Sequence, residues 1–528
     1  MSIILFLANV CFWIWAVRNT LFLTALWQTK EYRFDRMRVH LTDTQQGRRL
    51  FFSPVLFAKL AAIIAYGAVV FSTISGNAYD FLVTAIFAWN AFCVFREVRF
   101  HTLKRPQFTG KTLVIIALSI GLLFALFWVP IFDQSLWLLL LDRLLPLIIA
   151  FFVYVFSFPT EAYKDFQVQK AMEKIKGYKK LLVIGVTGSY GKSTTKEYTA
   201  QILRKKFRVA KTKGTNNTPI GIANTILSTL QPNTEIFVVE MGAYKKREIA
   251  ELCNIVHPKI GILTAVNQQH ASLFGGLEKT KQTKYELIES LPKTGLALFN
   301  GNNENALALY QKTSKKKALY ISDNSRKADI RAKNIAVFKT HITFDVYCFG
   351  KKLRLTAPLI GRHNIENMLP GIYLAFMLGM KKEEISKAVS TLVPPEQTMV
   401  RFEIGGVSMI DDAFNANPQS VISALDYMKV YKQKRLLVLE PMIELGGYAK
   451  DEHRKIGRAI GNVCDVVLLT NNNYYNEILE GVQKGKRKCV VHTGTSSEIA
   501  AFISENTRKG DIVVFEGKKA GQSLAKLL

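Results

Sequence analysis

Lys192, Ser193 and Thr194 follow two closely spaced glycines, Gly188 and Gly191, where an apolar run, Leu181–Val186, gives way to a helix-patterned stretch. Strand, glycine loop, helix is an arrangement that handles phosphate. Glycines let backbone N–H groups approach phosphate oxygens, and the start of the helix adds partial positive charge. In that frame Gly188, Ser189 and Gly191 cradle phosphate, and Lys192 reaches the β- and γ-phosphates. The Ser193 hydroxyl serves Mg2+, with Thr194 beside it. The loop departs from the usual GxxxxGK[ST] spacing: Val186 stands at the first glycine position and Gly185 comes one residue early. A chance glycine turn is the bland alternative, and it does not account for strand, Gly-Lys-Ser-Thr and helix arriving together. A second apolar run, Ile236–Val239, ends at Glu240, a good place for a Mg2+ carboxylate.

From this loop onward the chain resembles the Mur ligases. GVTGSYGKSTTK has that family's shifted glycines, and TKGTNNTPIG, from Thr212 to Gly221, is similar to the asparagine-rich substrate loop of the family's D-alanyl-D-alanine-adding branch. His270 opens HASLFGGLEKTKQTKYEL, Gly361 opens GRHNIEN, Arg401 opens RFE, Asp411 opens DDAFNANP and Leu439 opens LEPMIELG. These motifs keep the family's order over residues 180–528.

The resemblance implies a reaction in which ATP phosphorylates a substrate carboxylate and an amine attacks the acyl phosphate. It implies catalytic roles for Lys192, His270, Lys284 and Arg401, with Lys284 carbamylated. Ser193, Glu240 and His270 would hold Mg2+. His363, Asn364 and Asn367 would contact adenine, Arg401 the γ-phosphate and Asp412 the nucleotide from across a cleft. Thr215, Asn216 and Asn217 would face the acyl substrate, Asn415 and Asn417 the amine. Each has a plainer reading. Lys284 shares a Lys-rich stretch with Lys279 and Lys281, which suits a solvated basic face. Asn is common at helix starts, Arg401 and Asp412 suit an ordinary surface, and NANP forms a turn in any case. Two departures fall in the part that selects the amine. Glu516-Gly517-Lys518-Lys519 stands where the branch has KGS and a basic residue, and Glu440-Pro441 replaces Gly-Asp.

The elements that must position these residues read as α/β. Strand candidates Leu181–Val186, Ile236–Glu240, Gly261–Val266 and Leu296–Asn300 precede Arg435–Glu440, Asp465–Thr470 and Asp511–Glu516, with helical patterns between several of them. That argues for mostly parallel sheets. The expected organisation is an N-terminal α-helical transmembrane domain (1–160, about five helices) and a basic linker (161–178). A P-loop-type central α/β domain (179–395) and a C-terminal Rossmann-like α/β domain (396–528) follow.

The membrane expectation rests on stretches near Ile3–Trp27, Phe52–Ile74, Tyr79–Phe95, Thr112–Phe132 and Ser135–Phe158, since a span needs roughly 20 apolar residues. Loops after the first and third stretches, and the segment after the fifth, are rich in Lys and Arg; the other two carry none. The positive-inside rule then puts the N-terminus outside and the catalytic part in the cytoplasm. Arg18 interrupts the first stretch, and Asp142-Arg143 sits in the fifth, where an internal pair is the plainer reading.

The net charge of +29 suits anionic ligands or an anionic membrane surface. Zinc-finger spacing and aromatic RNA-binding strands are lacking, which argues against nucleic acid. Six cysteines without a CxxC pair suggest reduced thiols and no zinc site. The branch's UDP-holding N-terminal domain has no counterpart here, and apolar stretches stand in its place. The expected function is ATP- and Mg2+-dependent ligation of a muramyl peptide to an amino acid or dipeptide amine such as D-Ala-D-Ala. The alternatives are a lipid-linked or other acidic polymer as acyl substrate, or a non-catalytic ATP-binding membrane scaffold.

Overall fold

The computed structural model describes residues 3–528 apart from 44–46, 48–52, 72–74, 130, 244, 268–275, 323–326 and 443–444. The chain divides into two compact units, Met1–Asp165 and Phe166–Leu528.

The first unit is helical. Its apolar helices are Ile3–Thr29, Pro54–Val70, Gly76–Arg99, Gly110–Phe127 and Gln134–Val155, with a short polar helix, Phe34–Asp43. Four apolar helices, beginning at Ile3, Gly76, Gly110 and Gln134, are long enough to cross a bilayer. The expected span Phe52–Ile74 is shorter: Ser53 caps it, Pro54 opens it, and it runs for 17 residues, at the low end of spanning lengths. Large apolar side chains such as Phe57, Ile64, Phe81, Trp89, Phe92 and Phe124 face outward, while Ala8, Ala16, Thr20, Asn90 and Ser119 are buried. Small and polar residues inside with bulky apolar ones outside is the pattern of a bundle solvated by lipid.

Contacts set the helix directions. Thr84 bonds the Ile4 carbonyl at 3.3 Å, Arg18 pairs with Glu97 at 2.6 Å, and the Gln107 N–H donates to Gln28 at 2.8 Å. Residue numbers rise together, so Ile3–Thr29 and Gly76–Arg99 run parallel. Asn9–Gln134 at 3.2 Å and Trp15–Asp142 at 2.8 Å give Gln134–Val155 the same direction. Arg18 therefore lies level with the end of its neighbour helix, and its charge is met by Glu97. Asp142 is buried between Trp15, Lys59 and Arg143.

The unit boundary falls inside the helix Ser157–Lys176. The segment expected as a basic linker is thus largely helical. Val168, Ala171, Met172 and Ile175 share one face and pack into the second unit's core.

The second unit holds two sheets. The strands of the first are β1 Leu182–Thr187, β2 Val209–Lys211, β3 Ile236–Glu240, β4 Ile260–Leu263, β5 Leu296–Asn300, β6 Lys317–Ile321, β7 Ile330–Val337, β8 Ile342–Cys348 and β9 Lys351–Ala357. Their order is β2-β3-β1-β4-β5-β6-β7-β8-β9, parallel up to β7 and antiparallel beyond. β3 is buried at every residue, as in a parallel strand covered on both faces. Successive residues serve opposite cores: Ile184 joins Tyr198 and Ile372, while Val183 joins Phe237 and Leu287.

The strands of the second sheet are β10 Val400–Ile404, β11 Val407–Asp412, β12 Arg435–Leu439, β13 Val466–Leu469, β14 Val490–Thr493 and β15 Ile512–Glu516, in the order β10-β11-β15-β12-β13-β14. All pairs are parallel except β10–β11. The antiparallel additions β7–β9 and β10–β11 were not among the expected strands. Their sequences, such as KKLRLTA in β9, mix charges with apolar residues and bury only part of each strand. The apolar-run signal that finds central strands is weak there.

Candidate active site

β1 ends at Thr187, and the chain turns through residues 188–191 into the helix Lys192–Leu203. Two positions in the turn require glycine. Gly188 has φ +151°, and a Cβ there would lie 2.0 Å from Thr264 Oγ1; Gly191 has φ +76°, and its Cβ would lie 2.6 Å from Asn367 Oδ1. The loop is drawn against the end of β4. Ser189 N–H donates to the Ala265 carbonyl at 2.6 Å, its Oγ accepts from Asn267 N–H at 3.0 Å, and the Thr264 hydroxyl donates to the Tyr190 carbonyl. Ser193 and Thr194 open the helix, half-buried. A preformed turn with glycine at its first and last positions, leading into a helix start, is what phosphate needs.

Lys192 folds back over this turn, its Nζ 3.1 Å from the Ser189 carbonyl. Burial pushes its ammonium pKa down, and the nearby Glu240 carboxylate opposes the shift. Lys284, on the helix Leu277–Glu289, is buried, with Nζ 3.4 Å from the Ala243 carbonyl. Its pKa is pushed down to about 7, first by burial and then by the charge of Lys192, against Glu248 and Glu286. The plain reading of a solvated basic face holds only for its neighbours. Lys279 is exposed and Lys281 pairs with Glu278 at 2.7 Å, while Lys284 is 4% exposed.

Glu240 ends β3 and is 1% exposed. Its Oε2 accepts from Lys196 Nζ at 3.2 Å and its Oε1 from Asn217 Nδ2 at 3.0 Å. Lys196 also reaches the Gly214 carbonyl at 2.6 Å, so it ties the glycine-loop helix, the carboxylate and the asparagine-rich loop together. Sequence reading missed Lys196. The available signal was its spacing of four from Lys192, one turn along the same helix face. Asn217 faces the site; Thr215 and Asn216 are exposed on the loop before it.

His270 lies outside the described residues. Among those described, no group of three His, Cys, Asp or Glu side chains is placed to hold a metal ion.

The helix His363–Met377 carries the three expected adenine contacts, in different settings. Asn367 meets the glycine loop, its Oδ1 accepting from Thr195 at 3.2 Å. Asn364 is buried, accepting from the Tyr198 hydroxyl at 2.9 Å and donating to the Ile360 carbonyl at 2.7 Å. His363 has a buried Nδ1 without a partner, and burial pushes its pKa down to about 4. It lines a cavity of about 290 Å³ with Arg362, Glu366, Gln419, Asp426 and Asn462.

On the second sheet, Arg401 is held by Tyr431 at 3.3 Å, Ser408 at 3.2 Å and Glu403. Asp412 accepts from Met399 N–H at 3.2 Å. Among the described residues, no hydrogen bond or ion pair joins either of them to residues 188–194. What the C-terminal part sets near the glycine loop is the helix Ala449–Val463: burial first, and then Glu452, push the Tyr190 hydroxyl up. Asn417 caps the helix Pro418–Met428, its Oδ1 accepting from Ser420 N–H at 2.9 Å, while Asn415 is exposed.

The departures noted in the sequence meet here. Asp412, Glu440 and Glu516 lie at the C-terminal ends of the adjacent β11, β12 and β15. Ser420 donates to Glu516 at 3.0 Å, and Lys519 N–H donates to Glu440 at 2.9 Å. Burial raises both carboxyls above the usual carboxylate range; the charge of Asp412 raises Glu516 further, while the hydrogen bonds Asp412 accepts hold its own shift back.

Comparisons with known proteins follow the same outline. Residues 186–375 match the model of the Mur ligase middle domain, and residues 398–519 that of the Mur ligase glutamate ligase domain. The UDP-N-acetylmuramoyl-tripeptide–D-alanyl-D-alanine ligase of Bacillus subtilis is 30% identical over 356 residues, covering 66% of this chain and 75% of that enzyme. Among solved structures, MurF from Thermotoga maritima in complex with ADP matches with a TM-score of 0.62 at 24% identity, over 69% of this chain and 83% of that one. MurF from Acinetobacter baumannii matches at 0.63 and 22%, over 69% and 80%. With the nucleotide-type loop, both sheets and the motif order in agreement, this chain belongs to the Mur ligase family, the ATP-dependent ligases that join an acid to an amino acid in peptidoglycan synthesis.

Proposed function

We propose that the chain is a membrane-embedded ligase that activates the carboxylate of a muramyl peptide as an acyl phosphate and joins it to a dipeptide amine of the D-Ala-D-Ala kind. The observation that carries this reading is the convergence of Lys192, Glu240 and Lys284 behind a turn closed by Gly188 and Gly191. Two anions, a carboxylate and a polyphosphate, must meet in this reaction, and cations aimed at the transferring group lower its barrier. Gly188, Ser189, Gly191, Lys192, Ser193 and Thr194 hold the phosphates. His363 and Asn367 face the base, and Asn364 fixes their helix through Tyr198. Ser193, Glu240 and His270 would hold Mg2+, which would supply charge neutralisation at the γ-phosphate. Glu240 fits the role, since a carboxylate has lone pairs left after two hydrogen bonds. Lys284, with a large neutral fraction near pH 7, takes up carbon dioxide as a carbamate and so becomes an anion.

Thr215, Asn216 and Asn217 face the acyl substrate, Asn415 and Asn417 serve the amine side, and Asp412 serves the nucleotide from across the cleft. Arg401 reaches the γ-phosphate only when the C-terminal lobe closes. In the connection between the lobes, Gln397 and Met399 hold φ of +56° and +49°, unusual for side-chain-bearing residues and suited to a hinge.

The parallel direction of the helices starting at Ile3, Gly76 and Gln134 requires the chain to return between them, through Pro54–Val70 and Gly110–Phe127. That supports five crossings, and the Lys- and Arg-rich loops after the first and third stretches then favour an outside N-terminus and a cytoplasmic ligase part. These helices stand where the family's UDP-holding domain is expected, which favours a lipid-linked acyl substrate as a second reading.

Phosphate release by the full-length protein is measured across a panel of muramyl-peptide acids, UDP-linked and lipid-linked, each with a panel of amines. Turnover is expected only when acid and amine are both present, and Lys192→Ala is expected to abolish it. ATP hydrolysis indifferent to both substrates would overturn the ligase reading. Efficient use of the UDP-linked acid with neglect of the lipid-linked one would remove the second reading.

A further inference from the structure

A cavity of about 650 Å³ in the helical unit is lined by Arg18, Phe22, Arg96, Phe100, Thr102 and Lys104, together with Glu97. Its walls are built. Arg18 grips Glu97 with two bonds, 2.8 and 2.6 Å, and its guanidinium lies 4.8 Å from the centre of the Phe22 ring. The helix Gly76–Arg99 ends in a left-handed residue, His101 at φ +52°, and Thr102 N–H closes the cap onto the Glu97 carbonyl at 2.9 Å. The loop beyond is pinned to the first helix by a reciprocal pair: Gln28 donates to the Gln107 carbonyl at 3.1 Å, and Gln107 N–H donates back at 2.8 Å.

The charges do not balance. Glu97 is engaged by Arg18. Arg96 and Lys104 are exposed and form no ion pair with a described residue. Two uncompensated cations therefore sit beside Phe22 and Phe100, where the apolar surface of the helix stops. Phe92, one turn before Arg96, and Phe95, next to it, are exposed on the same helix and extend the apolar surface back from the cavity. The site asks for an anionic group carried on an apolar chain.

We infer that this cavity takes the phosphate or diphosphate group of a membrane lipid, held by Arg96 and Lys104 with the lipid chain along Phe92 and Phe95. The inference rests on reading these helices as membrane-embedded, not on the ligase chemistry. It would give a lipid-linked acyl substrate an anchoring point in the same chain. A free soluble phosphate has the same head chemistry, so the test separates the two sources.

Full-length protein in detergent micelles is titrated with phosphatidic acid, with phosphatidylcholine of the same chains, and with inorganic diphosphate, and bound lipid is read by native mass spectrometry. Phosphatidic acid is expected to bind at least ten-fold tighter than phosphatidylcholine, and the Arg96→Gln/Lys104→Gln double variant to lose that preference. Arg96→Lys should restore most of it in the Lys104 background. Diphosphate at equal concentration should not displace the lipid. A double variant that keeps the preference, with an unchanged melting temperature, overturns the site; displacement by diphosphate overturns the lipid as its ligand. Lys192→Ala should bind lipid as the unaltered protein does, so failure here and failure of the ligase reading are seen separately.

Discussion

At the scale of single residues, the site's chemistry depends on charge states set by burial. Lys284 is held near pKa 7 by desolvation and by Lys192, so below that pH it is mainly an ammonium and cannot take up carbon dioxide. Turnover assayed in carbon-dioxide-free buffer should fall several-fold and recover with bicarbonate, and Lys284→Arg should be both slow and insensitive to bicarbonate. The Asp412–Glu516 pair has the opposite sign. Its raised pKa means the folded protein holds a proton that the unfolded chain releases near pH 4. That contribution to stability is complete below about pH 4 and is lost as pH rises, through about 6 for Asp412 and at higher pH for Glu516. Melting curves between pH 4 and 7 should show this decline, and Glu516→Gln should flatten it. The residue types were legible in the chain, whereas these charge states were not. Lys279, Lys281 and Lys284 look alike as letters and differ only in what covers them. Asn417 is a further case: NANP reads as a turn, and in the fold the Asn417 side-chain oxygen caps the helix that the turn opens.

At the scale of elements, the glycine loop and its flanking strand and helix follow from local pattern, and the structure has them where that pattern places them. The packing of helix on helix is less legible. Gly457 and Gly461, one turn apart, face Gly481 and Gly485 on and just after the helix Tyr475–Gln483. A Cβ on Gly457 would lie 2.3 Å from the Ile478 carbonyl oxygen, and one on Gly461 2.3 Å from that of Val482. The two backbones touch, so a methyl group must push them apart. Gly461→Ala should cost about 2 kcal/mol or more in a denaturant melt, although alanine is the better helix former. Spacing shows each pair on one helix face. Only the fold brings the pairs into contact.

At the scale of the whole molecule, a unit of apolar helices, four of them long enough to cross a bilayer, and a two-sheet ligase unit share one chain. Asp142 is buried against Lys59 at 3.0 Å and Trp15 at 2.8 Å. Asp142→Ala would leave Lys59 as an unpaired buried charge and should destabilise the helical unit by roughly 3–5 kcal/mol, seen as a lower melting temperature in detergent. The crossing pattern is tested by an impermeant thiol reagent on intact cells, in a background without native cysteines. Gly76→Cys should label, and a cysteine in the segment Lys104–Thr109 should not. The sequence by itself determined the family, the α/β order, the phosphate loop and the apolar N-terminal helices. These depend on local pattern: apolar period, glycine placement and charge alternation. The tertiary structure alone decided that Lys284 and Lys196 are buried at the glycine loop, that Asn364 turns inward to Tyr198, and that burial raises Asp412 and Glu516 above the usual carboxylate range. It also left Arg401 with Tyr431, away from the loop. Such outcomes depend on which distant segments exclude water from which side chain, and desolvation and pairing across long sequence separations leave no periodic trace in the chain.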